Sequence, residues 1–234
     1  MFERPTDVIT SSRAEVTNAF MRGVYLWMCI GLAVTAAFAY ATLTIPALAR
    51  IVFYSQYTFY GLLIAEVLLV IALSAAINKM SPSAATGMFI LYSAMNGMTL
   101  SAVLLIYTEQ SVFNAFLTAA GMFGAMSVYG LVTKRDLTSM GSFMMMGLFG
   151  IVIAMVINIF IGSSALQLGI SILGVFIFLG LTAYDTQALR NMGETAPMDD
   201  AVAIRRGTIL GALKLYLDFI NIFIMLLRIF GDRR

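Results

Sequence analysis

Four ionisable residues lie within or at the end of long apolar stretches of the sequence: Glu66, Asp185, Lys214 and Asp218. A charged side chain at bilayer depth costs roughly 2.5–3.5 kcal/mol on insertion scales, so it usually faces the interior of a helix bundle and has a functional role. Two carboxylates within about 4–6 Å of each other in a low dielectric cannot both ionise cheaply. Such a pair shares a proton and titrates as a unit, which makes it a sensor of pH.

Asp185 and Asp218 are the candidates for that pair. Asp185 is predicted at the cytoplasmic end of the sixth apolar stretch, and Asp218 near the middle of the seventh. The chain returns through one polar loop directly into the last stretch, so the two carboxylates are expected to converge. Their oxygen atoms would then suit a hard cation such as Ca²⁺. The alternative for Asp185 alone is an interfacial carboxylate hydrated by the loop.

The last apolar stretch carries further polar residues. Lys214, Asp218 and Asn221 are spaced by four and three residues, so they share one face of a helix. That face is expected to look into the bundle or into a water-filled cavity. The alternative is a local Lys214–Asp218 pair that only satisfies its own two charges.

Glu66 lies in the middle of the second apolar stretch, and two interpretations of it remain open. It either lines the same pathway or is a neutral, hydrogen-bonded residue of the core. Asn96, in the third stretch, is expected to form an interhelical hydrogen bond. Ser93, Gly97 and Ser101 recur every four residues in that stretch and predict close helix packing.

The composition indicates an all-α polytopic membrane protein. Of 234 residues, 61% are hydrophobic and 11% charged, and the mean hydropathy is +0.93, whereas soluble domains carry about a quarter charged residues. The chain has no histidine and one cysteine, Cys29, so any response to neutral pH must come from carboxylates. We expect no enzymatic activity, no cofactor and, at a net charge of +2, no nucleic-acid partner.

Seven stretches have the length of about twenty residues that a transmembrane helix needs. We predict a cytoplasmic N-terminal segment at 1–19 and a seven-helix transmembrane domain at 20–234. The predicted spans are 21–43, 57–78, 85–107, 112–132, 141–161, 165–185 and 208–230, with a partly apolar connector at 44–56 and a polar loop at 188–206.

The distribution of Lys and Arg favours a cytoplasmic N-terminus. Nine basic residues would then lie on the cytoplasmic side and four on the outer side, three of the four after the middle of the last stretch. The nine are Arg4, Arg13, Arg22, Lys79, Lys134, Arg135, Arg190, Arg205 and Arg206, and the four are Arg50, Arg228, Arg233 and Arg234. The alternative for the last stretch is a re-entrant segment that returns to the cytoplasm.

The segments around the two aspartates resemble a known family. FLGLTAYDTQ (178–187) and LYLDFINIFIMLLRIFG (215–231) are similar to the two signature segments of the Bax inhibitor family, and SAMNGMTLS (93–101) is similar too. The resemblance covers the chain from the first span onward. It implies a bacterial inner-membrane protein in which two groups of three helices wrap the C-terminal helix.

The resemblance also implies a pH-sensitive calcium leak, with Asp185 and Asp218 as its sensor. Glu66 corresponds to a glutamate of bacterial relatives. Some relatives hold the sensor closed with an arginine at the cytoplasmic end of the second helix. Here Ile77 stands at that place and Lys79 is the nearest base, while Lys214, on the same face as Asp218, is the alternative replacement.

Two other functions are compatible with the sequence. The first is a membrane-embedded regulator of a protease or stress pathway, acting through contacts with a membrane protein partner. The second is a proton-coupled transporter of small solutes, for which broken helices and inverted repeats would be typical. In every case the lipid bilayer is a partner, and for the leak the transported cation is Ca²⁺.

Overall fold

The computed structural model describes residues 5–195 and 200–234, with side chains from residue 13 onward. These residues form eight α-helices, and a 3₁₀ turn at Ile77–Lys79 follows the third. The helices are α1 (Pro5–Thr44), α2 (Pro46–Phe53), α3 (Gln56–Ala76), α4 (Pro82–Ile106), α5 (Glu109–Val132), α6 (Thr138–Ile161), α7 (Ser164–Thr195) and α8 (Ala201–Phe230). Within this described part, extended pairing is limited to one bridge between Tyr107 and Arg233.

Seven of the helices are long and apolar enough to cross a membrane, and α2, with eight residues, is not. Large apolar side chains of α6 are exposed, for example Phe149 at 66% and Ile153 at 61%. Contiguous apolar surface of this kind marks a membrane contact. The prediction of an all-α polytopic membrane protein is therefore confirmed.

Burial is distributed unevenly among the spans. In its most apolar stretch of 18 residues, α8 has 72% of the residues buried inside the protein, whereas α6 has 6%. α8 is also one uninterrupted helix of 30 residues, about 45 Å long at 1.5 Å per residue. It can therefore cross a hydrocarbon core of about 30 Å, and it has none of the breaks that a re-entrant segment requires.

Local sequence signals explain where several helices begin. Pro46 is at the start of α2 and Pro82 is the first residue of α4. Proline suits that position because its missing N–H would have no helical partner there. Ser55 and Thr108 cap α3 and α5, since their side-chain oxygens accept the backbone N–H three residues later, at 3.2 and 3.3 Å. The predicted connector at 44–56 therefore contains a helix.

α7 and α8 are longer than the apolar stretches that predicted them. α7 continues for ten residues beyond Asp185, and α8 begins seven residues before 208. The segment after Asp185 keeps good helix formers, and its Leu189 is only 2% exposed. The predictions that Asp185 ends a helix and that 188–206 is a loop were therefore wrong for the described residues. Residues 196–199, in the middle of that loop, lie outside them.

The N-terminal helix also begins earlier than the first predicted span. α1 is continuous from Pro5, so the predicted boundary at residue 20 falls inside it. Residues 1–4 of the predicted N-terminal segment, with Arg4, lie outside the described residues.

The chain divides into two compact units by internal packing. Unit 1 comprises the chain up to Val103 together with Leu189–Tyr216, and therefore holds α1–α3, most of α4 and the first half of α8. Unit 2 comprises Leu104–Ala188 and Leu217–Arg234, and holds α5, α6, most of α7 and the second half of α8.

Small residues on α4 allow close helix packing in unit 1. Ser93, Gly97 and Ser101 are all buried. A Cβ atom at Gly97 would collide with the backbone oxygen of Thr35 on α1. The predicted close packing along this stripe is thus confirmed, because only glycine lets the two backbones approach so closely.

Unit 2 contains an aromatic cluster and an anchored C-terminus. The Phe219 ring of α8 contacts the rings of Phe116 and Phe123 of α5 edge-on, at centroid distances of 5.4 and 5.6 Å. After α8, the backbone N–H of Thr108 donates to the Asp232 oxygen at 3.0 Å. The last residues of the chain are therefore anchored to the connection between α4 and α5.

Candidate functional site

The two aspartates of the predicted sensor both belong to unit 2. Asp218 lies in the interior of α8 and is only 4% exposed. Asp185 is half-buried in α7, about three turns before the end of that helix. A buried carboxylate in a membrane-spanning helix is a functional-site candidate on physical grounds.

Helical spacing relates these two carboxylates to the contact between α7 and α8. In unit 2, a Cβ atom at Gly174 of α7 would collide with the sulfur of Met225 of α8. The connection between the helices is limited to residues 196–200, so they run antiparallel. Asp185 follows Gly174 by eleven residues, and Asp218 precedes Met225 by seven.

Each residue turns the helix by about 100°. A side chain eleven residues after Gly174, or seven residues before Met225, therefore points within about 20° of the direction of the contact residue. Asp185 and Asp218 therefore lie on the stripes through which α7 and α8 face each other. Their levels along the helix axes differ by about 6 Å, since each residue adds 1.5 Å. Helical spacing thus puts the two residues on facing stripes, about one turn apart in level.

The other polar residues of the last helix differ in their surroundings. Lys214 is exposed, whereas Asp218, four residues later, is buried. Asn221 is half-buried, and its amide nitrogen donates to the backbone oxygen of Leu217 at 2.8 Å. The polar face predicted from spacing therefore passes from an exposed ammonium group to a buried carboxyl group within one turn.

Glu66 is buried in unit 1, with 6% exposure. Its Oε1 atom accepts a hydrogen bond from the Thr99 hydroxyl at 2.9 Å, and its Oε2 atom faces the Asn96 amide nitrogen at 3.4 Å. Both partners are neutral and belong to α4. Of the two interpretations of Glu66, this geometry favours the hydrogen-bonded core residue.

Asn96 extends this cluster to α8 and α1. Its Oδ1 atom accepts a hydrogen bond from the Tyr216 hydroxyl at 3.2 Å. The same hydroxyl lies 2.6 Å from the Oγ1 atom of Thr35, which in turn lies 2.9 Å from the Ser93 carbonyl oxygen. Asn96 therefore forms the interhelical hydrogen bonds that the sequence predicts, and the polar cluster connects four helices.

The turn that follows the second span carries no arginine among the described residues Ile77–Met80. Ile77 is 4% exposed at the start of the 3₁₀ turn, and Lys79 is exposed. The Arg206 side chain of α8 reaches this turn instead, because its Nε–H donates to the Met80 carbonyl oxygen at 2.7 Å. A basic side chain of the last helix therefore bonds to this turn, in addition to the turn's own Lys79.

Asp136 is an exposed carboxylate in the connection between α5 and α6. Its Oδ1 atom accepts hydrogen bonds from the Thr138 hydroxyl at 2.6 Å and from the Thr138 backbone N–H at 2.9 Å. These hydrogen bonds hold the pKa of the Asp136 carboxyl below its ordinary value. Asp136 therefore stays ionised at neutral pH and is excluded as a neutral-pH sensor.

Metal binding would rest on few side chains. In the parts of the chain that the structure describes, no three His, Cys, Asp or Glu residues are grouped closely enough to hold a metal ion. A cation near Asp185 or Asp218 would need further oxygen ligands from water or from the backbone.

Sequence reasoning missed several members of the sites. The sequence marks Arg206 only as one of the basic residues that set orientation. It does not indicate that Thr99 bonds to Glu66 or that Tyr216 and Thr35 extend the cluster. For Tyr216 a signal was present, because a phenol at the centre of an apolar run needs a hydrogen-bond partner. For threonines none exists, since their hydroxyls usually bond to their own helix.

Comparison with known proteins agrees with the residue-level resemblance. The family model described as inhibitor of apoptosis-promoting Bax1 matches residues 17–234. The inner membrane protein YbhL of Escherichia coli K12 is 48% identical over 229 residues, which cover 98% of this chain and 97% of that protein. Uncharacterized proteins of Borreliella burgdorferi and Deinococcus radiodurans are each 46% identical, and they cover 97% and 94% of this chain, and 98% and 93% of their own lengths.

These relatives match the protein over nearly its whole length, and its seven apolar helices agree with a multi-pass inner membrane protein. The chain belongs to the Bax inhibitor family.

Proposed function

We propose that this protein is a passive, pH-gated cation leak of the inner membrane, with Ca²⁺ as the transported ion. The observation that carries the proposal is the contact between Gly174 of α7 and Met225 of α8, from which helical spacing puts Asp185 and Asp218 on the facing stripes of these helices. Their burial limits hydration of the charged forms. The protonation of this pair is therefore linked to how closely the two helices can pack.

In the closed state the two carboxyl groups share one proton and a hydrogen bond joins α7 to α8. When both carboxyls ionise, their repulsion separates the helices. The same oxygens then become available to a hard cation such as Ca²⁺. Apolar side chains that limit access of water complete such a gate.

The proposal includes an orientation and excludes an enzymatic role. The N-terminus is cytoplasmic, since nine basic residues then lie on that side against four outside. The seven spans are continuous helices in the described chain, whereas broken helices are typical of many secondary transporters. This supports a leak over a proton-coupled transporter. The chain carries out no catalysis and needs no cofactor.

The test is a flux measurement in liposomes. The purified protein is reconstituted with an internal Ca²⁺ indicator, and uptake is measured across a range of pH values. Wild type should show pH-dependent flux. Asp185→Asn and Asp218→Asn should each remove the pH dependence, because asparagine cannot exchange the proton. The control is Asp136→Asn, which changes an exposed carboxylate and should behave as wild type.

An unchanged pH dependence in both aspartate variants would rule out the sensor. A second outcome bears on the regulator alternative. If no Ca²⁺ flux is measurable at any pH, although the protein is folded and inserted, the leak itself is wrong and a role through protein contacts is favoured.

A further inference from the structure

The Glu66 cluster of unit 1 has a chemistry of its own. Glu66 is buried, and its partners among the described residues are the neutral groups of Thr99 and Asn96. An ionised carboxylate that is removed from water without a cationic partner is costly. A protonated carboxyl in the same place carries no such cost. Burial among neutral partners therefore makes the binding of a proton favourable.

Thr99 can satisfy Glu66 in either protonation state. When the carboxylate is ionised, the Thr99 hydroxyl donates to its Oε1 atom at 2.9 Å. When the carboxyl is protonated, Glu66 becomes the donor and Thr99 the acceptor. The Thr99 hydrogen then turns to the carbonyl oxygen of Asn96, which lies 3.0 Å away. No hydrogen-bonding group of this pair is left unsatisfied in either state.

The hydroxyl chain beyond Asn96 also has two arrangements. Tyr216 and Thr35 carry one hydroxyl hydrogen each, but three contacts depend on them: Tyr216 to Asn96, Tyr216 to Thr35, and Thr35 to the Ser93 oxygen. Two hydrogens cannot fill three hydrogen bonds. The shortest contact, 2.6 Å between the Tyr216 and Thr35 oxygens, requires a hydrogen between them. Either Tyr216 donates to Asn96 and Thr35 donates to Tyr216, or Tyr216 donates to Thr35 and Thr35 donates to Ser93.

The charge on Glu66 selects between these arrangements. An ionised Glu66 attracts the amide hydrogen of Asn96 and polarises that amide, which makes its oxygen a better acceptor for Tyr216. A neutral Glu66 removes this polarisation, and the Tyr216 hydrogen turns to Thr35. In the described parts of the chain, the other titratable groups that face Glu66 are phenols, Tyr92 on α4 and Tyr216 on α8. α1 contributes the neutral hydroxyl of Thr35.

We propose that Glu66 is a proton-binding site of unit 1, separate from the aspartates of unit 2, and that proton binding there reverses the hydroxyl chain from Asn96 through Tyr216 to Thr35. The ligand is one proton from water, which converts the carboxylate to the acid without any other reactant. This proposal goes beyond the cation leak and does not depend on it. On α8, the change is in the hydrogen bond that the Tyr216 hydroxyl donates.

The test is pH-dependent infrared difference spectroscopy of the full-length protein in liposomes. The background is the double variant Asp185→Asn/Asp218→Asn, so that the sensor aspartates contribute no carboxylic-acid band. In this background an acid carbonyl band should remain, disappear on raising the pH, and be absent after the additional change Glu66→Gln. Glutamine imitates the protonated side chain and preserves the fold. The matched control, Glu109→Gln, changes an exposed glutamate and should leave the band unchanged.

A second band tests the connection to α8. The phenol band of a tyrosine should shift with the same pH midpoint as the acid band, and it should be lost in Tyr216→Phe and become pH-independent in Glu66→Gln. If the acid band survives Glu66→Gln, or never appears, Glu66 is not the proton site. If Glu66→Gln removes the acid band but the phenol band of that variant still shifts with pH, the reversal of the hydroxyl chain by Glu66 is wrong. Neither result depends on Ca²⁺ flux, so this proposal and the leak fail independently.

Discussion

The hydroxyl oxygen of Tyr216 lies 2.6 Å from the Oγ1 atom of Thr35, in the interior of unit 1. Tyr216 belongs to α8 and is fully buried, and Thr35 belongs to α1 and is 4% exposed. The rings of Phe89 and Tyr92, both on α4, contact the Tyr216 ring edge-on at 5.9 and 5.7 Å. The phenol is therefore held on its apolar side by rings and on its polar side by hydroxyl and amide groups.

Removing this hydroxyl should weaken unit 1 measurably. Tyr216→Phe keeps the ring contacts but removes the hydroxyl that bonds to the side chains of Thr35 and Asn96. Interhelical hydrogen bonds in membranes contribute about 0.6 kcal/mol each, so we expect a loss of about 1 kcal/mol. The measurement is unfolding in a detergent titration. Tyr57→Phe, at a tyrosine that is 88% exposed, is the control, and equal stability of the two variants would contradict the hydrogen-bonded role.

The approach of α1 to α4 depends on Gly97. Gly97→Ala introduces a methyl group that would collide with the Thr35 carbonyl oxygen and would lie 2.9 Å from the Phe38 Cβ atom. Because a backbone atom cannot yield as a side chain can, we expect a destabilisation of about 1–3 kcal/mol. The same change at Gly121, where a Cβ atom meets nothing within 4 Å, should be neutral or stabilising through helix propensity. Thermal unfolding of both variants checks this, and a stable Gly97→Ala protein would show that the helices can separate at low cost.

The fluorescence of Trp27 should depend on its contact with Arg205 at the start of α8. It is the only tryptophan in the sequence, and the guanidinium carbon of Arg205 lies 5.2 Å from its ring centroid. Arg205→Met removes a cation–π contact of about 0.5–1 kcal/mol and should shift the tryptophan emission. Arg206→Met removes the same charge from the neighbouring position, where the side chain bonds to Met80, and should leave the emission maximum unchanged. Identical spectra for wild type and Arg205→Met would contradict the contact.

The start of α6 should depend on pH through Asp136. Hydrogen bonds from Thr138 lower the pKa of this carboxyl in the folded protein. Its stabilising effect is therefore complete above the ordinary pKa of Asp, about 3.9, and is lost as the pH falls through the lowered value. Asp136→Ala should increase hydrogen exchange at the Thr138 amide at neutral pH, after correction for intrinsic exchange.

The internal control for this experiment is the Ser111 amide at the start of α5. It is capped by Thr108, whose hydroxyl does not titrate in this range, so its corrected protection should be the same in Asp136→Ala as in wild type. Protection at Thr138 that is insensitive to the Asp136 substitution would show that the carboxylate does not hold this amide.

The sequence by itself determined the membrane class, the number of spans and most of their limits. Runs of about twenty apolar residues cannot be accommodated otherwise in a chain with so few charges. It also identified Glu66, Asp185 and Asp218 as candidate site residues, because ionisable residues at bilayer depth are rare and stand out from their neighbours.

Tertiary structure alone decided where those residues lie and what they contact. The apolar run ends at Asp185, yet α7 continues for ten residues, since burial of side chains such as Leu189 stabilises helix where hydropathy is low. Likewise, nothing in the order of residues brings Arg206 to Met80 or Tyr216 to Thr35. Hydropathy is a property of the local sequence, whereas hydrogen-bond partners between helices depend on their rotation and register, which packing across the whole bundle sets.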